Sequence, residues 1–429
     1  MSSQQQFLLH AIFLLSFSLS KPCLANRFIP NQQTCITTKN LSSIKIPLKR
    51  IIHKPTPSIS IGYTTDVGFH TQEVAYYTDI SIGNPPTTFS LLIDTGSHLS
   101  WVRSCREGTC YGGKHFYPKD SNSFYLLPYE CEELGKECNE ESDECEEHGK
   151  ECNEDHGCSF ELKYVDETNA TGMLSKETFT IWEDKSIKTT QILGVPLGCA
   201  FANTALKNLD GILGLGAHPA SFASVLEIDY GIDKFSYCLL DQIDDPDETS
   251  SMWFGEQDFS TQVFYTPKLP EHIQHYAVRL LGISIEGEYV GESAFPLALI
   301  IDSGATVTTF PHVVYTQLRS KYKRVAARLG WVRATNLKGM VCYGNVNDVG
   351  ELEDTPSMTL HFDGEKADLE LKPHNIWRYF REHKAACLGF DDGTSIGNYS
   401  LTGSVQQQNI RVIFEGGDAL RIGFDPSGC

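Results

Sequence analysis

Acidic residues are missing from the first 65 positions of this chain, where Asp66 is the first carboxylate. The same stretch carries Lys21, Arg27, Lys39, Lys45, Lys49, Arg50 and Lys54. Taking those seven from the chain's 35 Lys and Arg leaves 28 against 55 acids, a formal charge of −27 for the remainder. A cationic leader therefore precedes an anionic body, and a body so poor in basic residues is not expected to bind nucleic acid. Long apolar runs are also scarce. Phe7 to Ser20 is apolar but too short to span a bilayer. With small residues at Cys23-Leu24-Ala25 it reads as a secretory signal over residues 1–25, although its start lacks Lys and Arg. No later run is apolar enough to cross a membrane, and the polar C-terminus argues against a lipid anchor. C-x-x-C pairs and EF-hand spacing are absent too, so neither a structural zinc nor a strong calcium site is expected.

Cysteine is plentiful. Setting aside Cys23 and Cys35 in the signal and leader leaves twelve: Cys105, Cys110, Cys131, Cys138, Cys145, Cys152, Cys158, Cys199, Cys238, Cys342, Cys387 and Cys429. An even number in a secreted chain predicts disulfides, and the pairing does not follow from sequence. Four of them fall in a tandem repeat, in which Glu130 to Glu140 recurs almost unchanged as Glu144 to Glu154. Its density of carboxylates reads as a solvated acidic loop stapled by disulfides.

Two apolar runs end in the same way, Leu91-Leu92-Ile93-Asp94-Thr95-Gly96-Ser97 and Leu299-Ile300-Ile301-Asp302-Ser303-Gly304-Ala305. A buried strand stopping in a tight glycine turn leaves its acid at the turn. Two copies, one per half of a chain too long for one core, predict duplicated lobes that each donate a carboxylate to a shared site. Carboxylates forced together cannot both ionise cheaply, so the pair is acid and base at once. That suits peptide hydrolysis by an activated water, with Thr95, Gly96, Ser97, Ser303 and Gly304 supporting Asp94 and Asp302.

From about Tyr76 onward the chain resembles plant pepsin-like aspartic proteases of the nepenthesin type. The motifs are Tyr77 to Pro86, the Asp94 loop with Trp101, Cys158 to Tyr164, Phe235-Ser236-Tyr237-Cys238-Leu239, the Asp302 loop and Gln406-Gln407-Gln408-Asn409. The resemblance implies a mostly β, bilobal fold with a central cleft, a β-hairpin flap over it and no cofactor. It makes Tyr164 the flap tyrosine with Trp101 as its partner. Residues 26–70 become a basic propeptide laid in the acidic cleft and cut near 55–72, residues 71–245 a first lobe with a cysteine-rich insert at 105–158, and residues 246–429 a second lobe. It pairs Cys342 with Cys387 and Cys238 with Cys429, leaving the other eight to staple the first lobe. The protein is expected to be a monomer secreted to the apoplast or a vacuole, acting on extended polypeptides.

Local patterns agree. Tyr76 to Ile82, Phe160 to Val165 and Ala277 to Ile285 read as strands, and Ala220 to Ile228 and Pro311 to Leu329 as helices. Asp210-Gly211-Ile212-Leu213-Gly214 and Leu401-Thr402-Gly403 each follow their aspartate at a similar distance, and the resemblance implies that they complete the loops that frame the two aspartates; Asp241 to Ser251 is expected to connect the lobes.

Departures from the family pattern are informative. The flap reads Tyr164-Val165-Asp166-Glu167-Thr168 where two glycines are usual, beside a glycosylation sequon at Asn169, with a second at Asn398. Thr402 stands where an apolar residue is usual. Ala305 replaces the usual Thr or Ser, so Asp302 has one donor fewer, should hold the shared proton and should move the acid limb of activity upward. Gly393-Thr394-Ser395-Ile396-Gly397 matches a serine-hydrolase pattern without the buried strand that motif requires. The resemblance also admits a second class, a pepsin-like binding or inhibitor protein with weak or no catalysis.

Overall fold

Alternation sets the first strand. In Ser43–Ile52 the side chains of Ile44, Ile46 and Leu48 are buried while Lys45 and Lys49 face outward, the period-2 pattern of a strand with one face on a core. The computed structural model describes residues 43–52, 74–104, 113–127, 158–164, 169–182, 189–203, 206, 209–241, 250–334, 337, 340–396, 400–417 and 419–429. The fold is mostly β and bilobal. Among the described residues it comprises sheets of 14, 8 and 4 strands, with Phe222–Tyr230 and His312–Arg328 as its longer helices.

The largest sheet runs from the first lobe into strands of the second. Its middle order is Arg421–Asp425, Arg411–Glu415, Lys234–Cys238, Ser250–Gly255, Ser43–Ile52, Val74–Ile82 and Thr87–Asp94. Residues 43–48 pair with 255–250, and residues 49–52 with 77–74. This corrects the placement of the leader: the described part of residues 26–70 is not in the cleft but is a buried strand at the heart of the sheet. Its apolar alternation decides the matter, because Ile44, Ile46 and Leu48 gain more from the core than its lysines gain from an acidic surface.

Each lobe builds the same crossed-strand frame. Thr87–Asp94 lies parallel to Gly211–Gly214, with Asp94 opposite Gly214, and Ser100–Arg103 crosses antiparallel on the other side. In the second lobe Leu297–Ile301 lies parallel to Ser400–Thr402, with Ile301 opposite Thr402, and Thr308–Phe310 crosses in turn. Thr402 does not disturb this loop, since its buried hydroxyl accepts from Thr308 at 3.2 Å.

Ser221 caps the first helix by accepting from Ser224, and Gly231 ends it at φ 70°. The core is aromatic at both ends. Phe235 stacks on Phe414 at 4.5 Å across the interlobe strands, and Trp377 packs edge-on against Tyr322, Trp331 and Tyr343.

Cys238–Cys429 and Cys342–Cys387 are bridged, and Cys158 is disulfide-bonded. Cys199 is not, and its assignment to a bridge is corrected: it is a free, buried thiol inside Thr189–Asn203, opposite Val102 and Met173 and 3.7 Å from the Ser175 hydroxyl. The strands paired with it on either side, Ser100–Arg103 and Asn169–Trp182, contain no cysteine. Cys105, Cys110, Cys131, Cys138, Cys145 and Cys152 lie outside the described residues, as do the signal, the acidic repeat, residues 242–249 of the connection and Asn398.

Candidate active site

The two glycine turns meet face to face. Asp94 ends Thr87–Asp94, and its Oδ1 accepts from the backbone N–H of Gly96 at 2.8 Å and of Ser97 at 3.1 Å. Asp302 follows Leu297–Ile301, and its Oδ1 accepts from Gly304 at 2.8 Å and Ala305 at 3.1 Å. Each carboxyl stands against the glycine of the other turn, so the two acids face each other. Glycine is required at both turns: a Cβ at Gly96 would stand 2.7 Å from Asp302 Oδ2, and one at Gly304 2.5 Å from Asp94 Oδ1.

Thr95 and Ser303 lock the loops together beneath the acids. The Thr95 hydroxyl donates to the Ile301 carbonyl at 2.8 Å and accepts from the Ser303 N–H at 3.0 Å. The Ser303 hydroxyl donates to Ile93 at 2.9 Å and accepts from the Thr95 N–H at 3.1 Å. Four buried hydrogen bonds, each with both partners satisfied, hold two chain segments some 200 residues apart in one register.

The frame is symmetric and the acids are not. The Ser97 hydroxyl donates to Asp94 Oδ2 at 2.5 Å, and Ala305 has no hydroxyl to give. Burial raises both carboxyls. Ser97 and the turn N–H groups draw Asp94 back, whereas burial and the neighbouring Asp94 charge push Asp302 up to about 8. Asp302 is thus the protonated partner. With the proton on Asp302, a lost donor at 305 would act on the limb of activity where that proton leaves the pair, and the sequence-based expectation of a raised acid limb is the alternative that a pH-rate profile distinguishes.

Over the first lobe Ser159–Lys163 and Asn169–Trp182 form an antiparallel hairpin, with Lys163 opposite Asn169. Tyr164 closes its described part, and residues 165–168, which include the altered flap tip, lie outside the described residues. The Trp101 indole N–H donates to the Tyr164 hydroxyl at 2.6 Å. Both rings pack with Leu92, Phe160, Leu162 and Ile212 into an apolar wall. At the other lobe Ala298 and Ala305 pack on Leu269, Ile300 and Leu401. Asn169 is the first residue of the second hairpin strand, opposite Lys163 and directly after the flap tip.

Several residues here had no role readable from sequence. Gln406, Gln407 and Gln408 are buried, and each amide serves a different element. Gln406 accepts from the Thr308 N–H and hydroxyl and donates to the Asn375 carbonyl, Gln407 donates to the carbonyls of Asp302 and Thr402, and Gln408 donates to the Tyr76 hydroxyl. Three successive amides in a buried stretch were the signal, since buried amides require partners.

Comparison with known proteins agrees with this architecture. Residues 76–256 match the family described as xylanase inhibitor N-terminal, and residues 275–426 the one described as xylanase inhibitor C-terminal. The chain is 29% identical over 405 residues to aspartyl protease family protein 2 of Arabidopsis thaliana, covering 90% of this chain and 77% of that protein. It is 27% identical over 419 residues to aspartic proteinase nepenthesin-2 of Nepenthes gracilis, covering 91% and 87%. Its fold resembles basic 7S globulin from soybean, with a TM-score of 0.65 at 17% identity over 90% of this chain and 95% of that one. The chain belongs to the plant pepsin-like aspartic proteases of the nepenthesin type.

Proposed function

We propose that this protein is an aspartic endopeptidase that hydrolyses peptide bonds at acidic pH. The observation that carries the reading is the facing carboxyl pair with unequal surroundings, Asp94 drawn back by the Ser97 hydroxyl and Asp302 pushed up by burial and by the Asp94 charge. A water between them would lose its proton to the Asp94 carboxylate as its oxygen attacks the scissile carbon, while the Asp302 proton passes to the carbonyl oxygen. Breaking the C–N bond of the resulting diol returns a proton to the leaving amine. Neither a metal nor a nucleophilic side chain enters this sequence. The apolar walls on both sides favour extended polypeptides with apolar side chains flanking the cut.

The same reading makes the chain a secreted, monomeric zymogen with a signal at 1–25 and a leader cut near 55–72, carrying a glycan at Asn169 or Asn398. Acid-treated full-length protein should cleave an unfolded substrate, a statine-type peptide should block it, and Asp94→Asn should abolish it.

A second reading is a binding or inhibitor protein. It is favoured by the descriptions of the two matching families and by the globulin-like fold. Under it the acid-treated protein would leave substrate intact at every pH while still binding a polypeptide partner.

A further inference from the structure

The two aspartates are held by different means. In the first lobe the backbone N–H of Leu215 donates to the Asp94 carbonyl at 2.8 Å, and that of Gly216 to the Ser97 carbonyl at 2.8 Å. Strand pairing makes Ser404 the counterpart of Leu215, because Ile93 faces Leu213 as Ile301 faces Thr402. The second lobe is slipped by one residue. Ser404 donates to Ala305, the counterpart of Ser97, at 2.8 Å, and the Asp302 carbonyl is left without that backbone donor. Gln407 fills the place, its Nε2 donating to Asp302 at 3.0 Å and to Thr402 at 2.8 Å.

The Gln407 amide can face only one way. Two carbonyls meet its nitrogen, and the Tyr237 hydroxyl donates to its Oε1; a flipped amide would set its oxygen against both carbonyl oxygens and leave each of them without this donor. Tyr237 is fully buried in the interlobe strand Lys234–Cys238, opposite Met252 and Val412. Its phenol also faces the Thr95 hydroxyl, so one side chain touches the lock of the first loop and the support of the second.

We propose that Tyr237 and Gln407 are positioning residues for the dyad: Gln407 fixes Asp302 against Asp94, and Tyr237 fixes Gln407. The assignment rests on the proteolytic reading of the site. A displacement of the order of 1 Å at a reacting group is enough to cost a large factor in rate. Tyr237→Phe deletes one oxygen and keeps the ring, so the sheet should survive it.

The test compares wild type, Tyr237→Phe, Gln407→Leu and the double variant, with folded sites counted by titration with a statine-type peptide. The expected result for Tyr237→Phe is kcat about tenfold lower, KM within about twofold and a displaced alkaline limb, with the double variant no worse than Gln407→Leu alone. A Tyr237→Phe protein with wild-type kcat and pH profile overturns the inference and leaves the proteolytic reading standing. A wild type that binds the statine peptide without cleaving substrate refutes that reading instead; the inference then stands on an about tenfold weaker Kd in Tyr237→Phe and falls if Kd is unchanged. A wild type that does neither overturns both.

Discussion

Ser97 donates its hydroxyl to Asp94 at 2.5 Å, while Ala305, the matching neighbour of Asp302, offers only its backbone N–H at 3.1 Å. Asp94 thus gains a side-chain donor that Asp302 lacks, while burial and the Asp94 charge push Asp302 up. Supplying that donor in Ala305→Ser should favour the charged form of Asp302 and bring the alkaline limb of kcat/KM down by about one pH unit. The acid limb, set by Asp94, should stay in place. A pH-rate profile in which the acid limb moves instead would reverse the assignment.

Asp302 also predicts how stability depends on pH. Burial and the Asp94 charge raise it from 3.8 to about 8. As pH rises through that window the unfolded chain loses this proton before the folded one does. The Asp302 contribution is therefore complete at pH below 3.8 and is lost as pH climbs toward 8. Asp302→Asn should flatten that decline in Tm between pH 4 and 8 and reduce proteolysis by at least about 10³-fold.

His98 works in the opposite direction. Its ring lies 5.0 Å from that of His218 and 5.2 Å from that of His275, joining residues of both lobes. Burial first, then the charges of His218 and His275, lower it from 6.5 to about 4, and His275 itself faces His272 and Lys268. Its neutral form is favoured in the fold, so stability present above pH 6.5 is lost as pH falls toward 4. Thermal unfolding of His98→Asn should show a smaller loss over that interval than wild type.

Trp101 orders Tyr164 through a single hydrogen bond. Trp101→Phe keeps most of the apolar wall and removes the donor, at a cost of about 1 kcal/mol. The expected outcome is a kcat/KM lower by roughly fivefold together with a lowered Tm, since the fully buried indole leaves a cavity. Tyr164→Phe should give a similar loss, and the double variant no more than either alone.

Cys199 should be inert. Burial pushes its thiol up to about 12, so almost no thiolate exists at neutral pH. A maleimide should leave it unmodified in the native protein and label it after unfolding, as read by peptide mass mapping.

Much of the framework was legible because its cause is local. Apolar alternation and glycine turns placed the strand at 277–285 without error and the helices within two residues of 222–230 and 312–328. The paired Asp-hydroxyl-Gly motifs named the acids that the fold brings together. Cys199 was misread because counting cysteines says nothing of which strand encloses each one. Residues 43–52 were misplaced in the cleft because their charge was weighed above the alternation of Ile44, Ile46 and Leu48.

The sequence by itself determined the chemistry at hand: two carboxyls, their hydroxyl and glycine neighbours, and a cationic leader. These follow from residue type and spacing of two or three. Tertiary structure decided that the two acids face each other in a buried site, that Gln407 replaces a backbone donor lost to a one-residue slip, and that three histidines from two lobes share one cluster. Each depends on distances between segments far apart in the chain, and those are fixed only when the lobes close on each other.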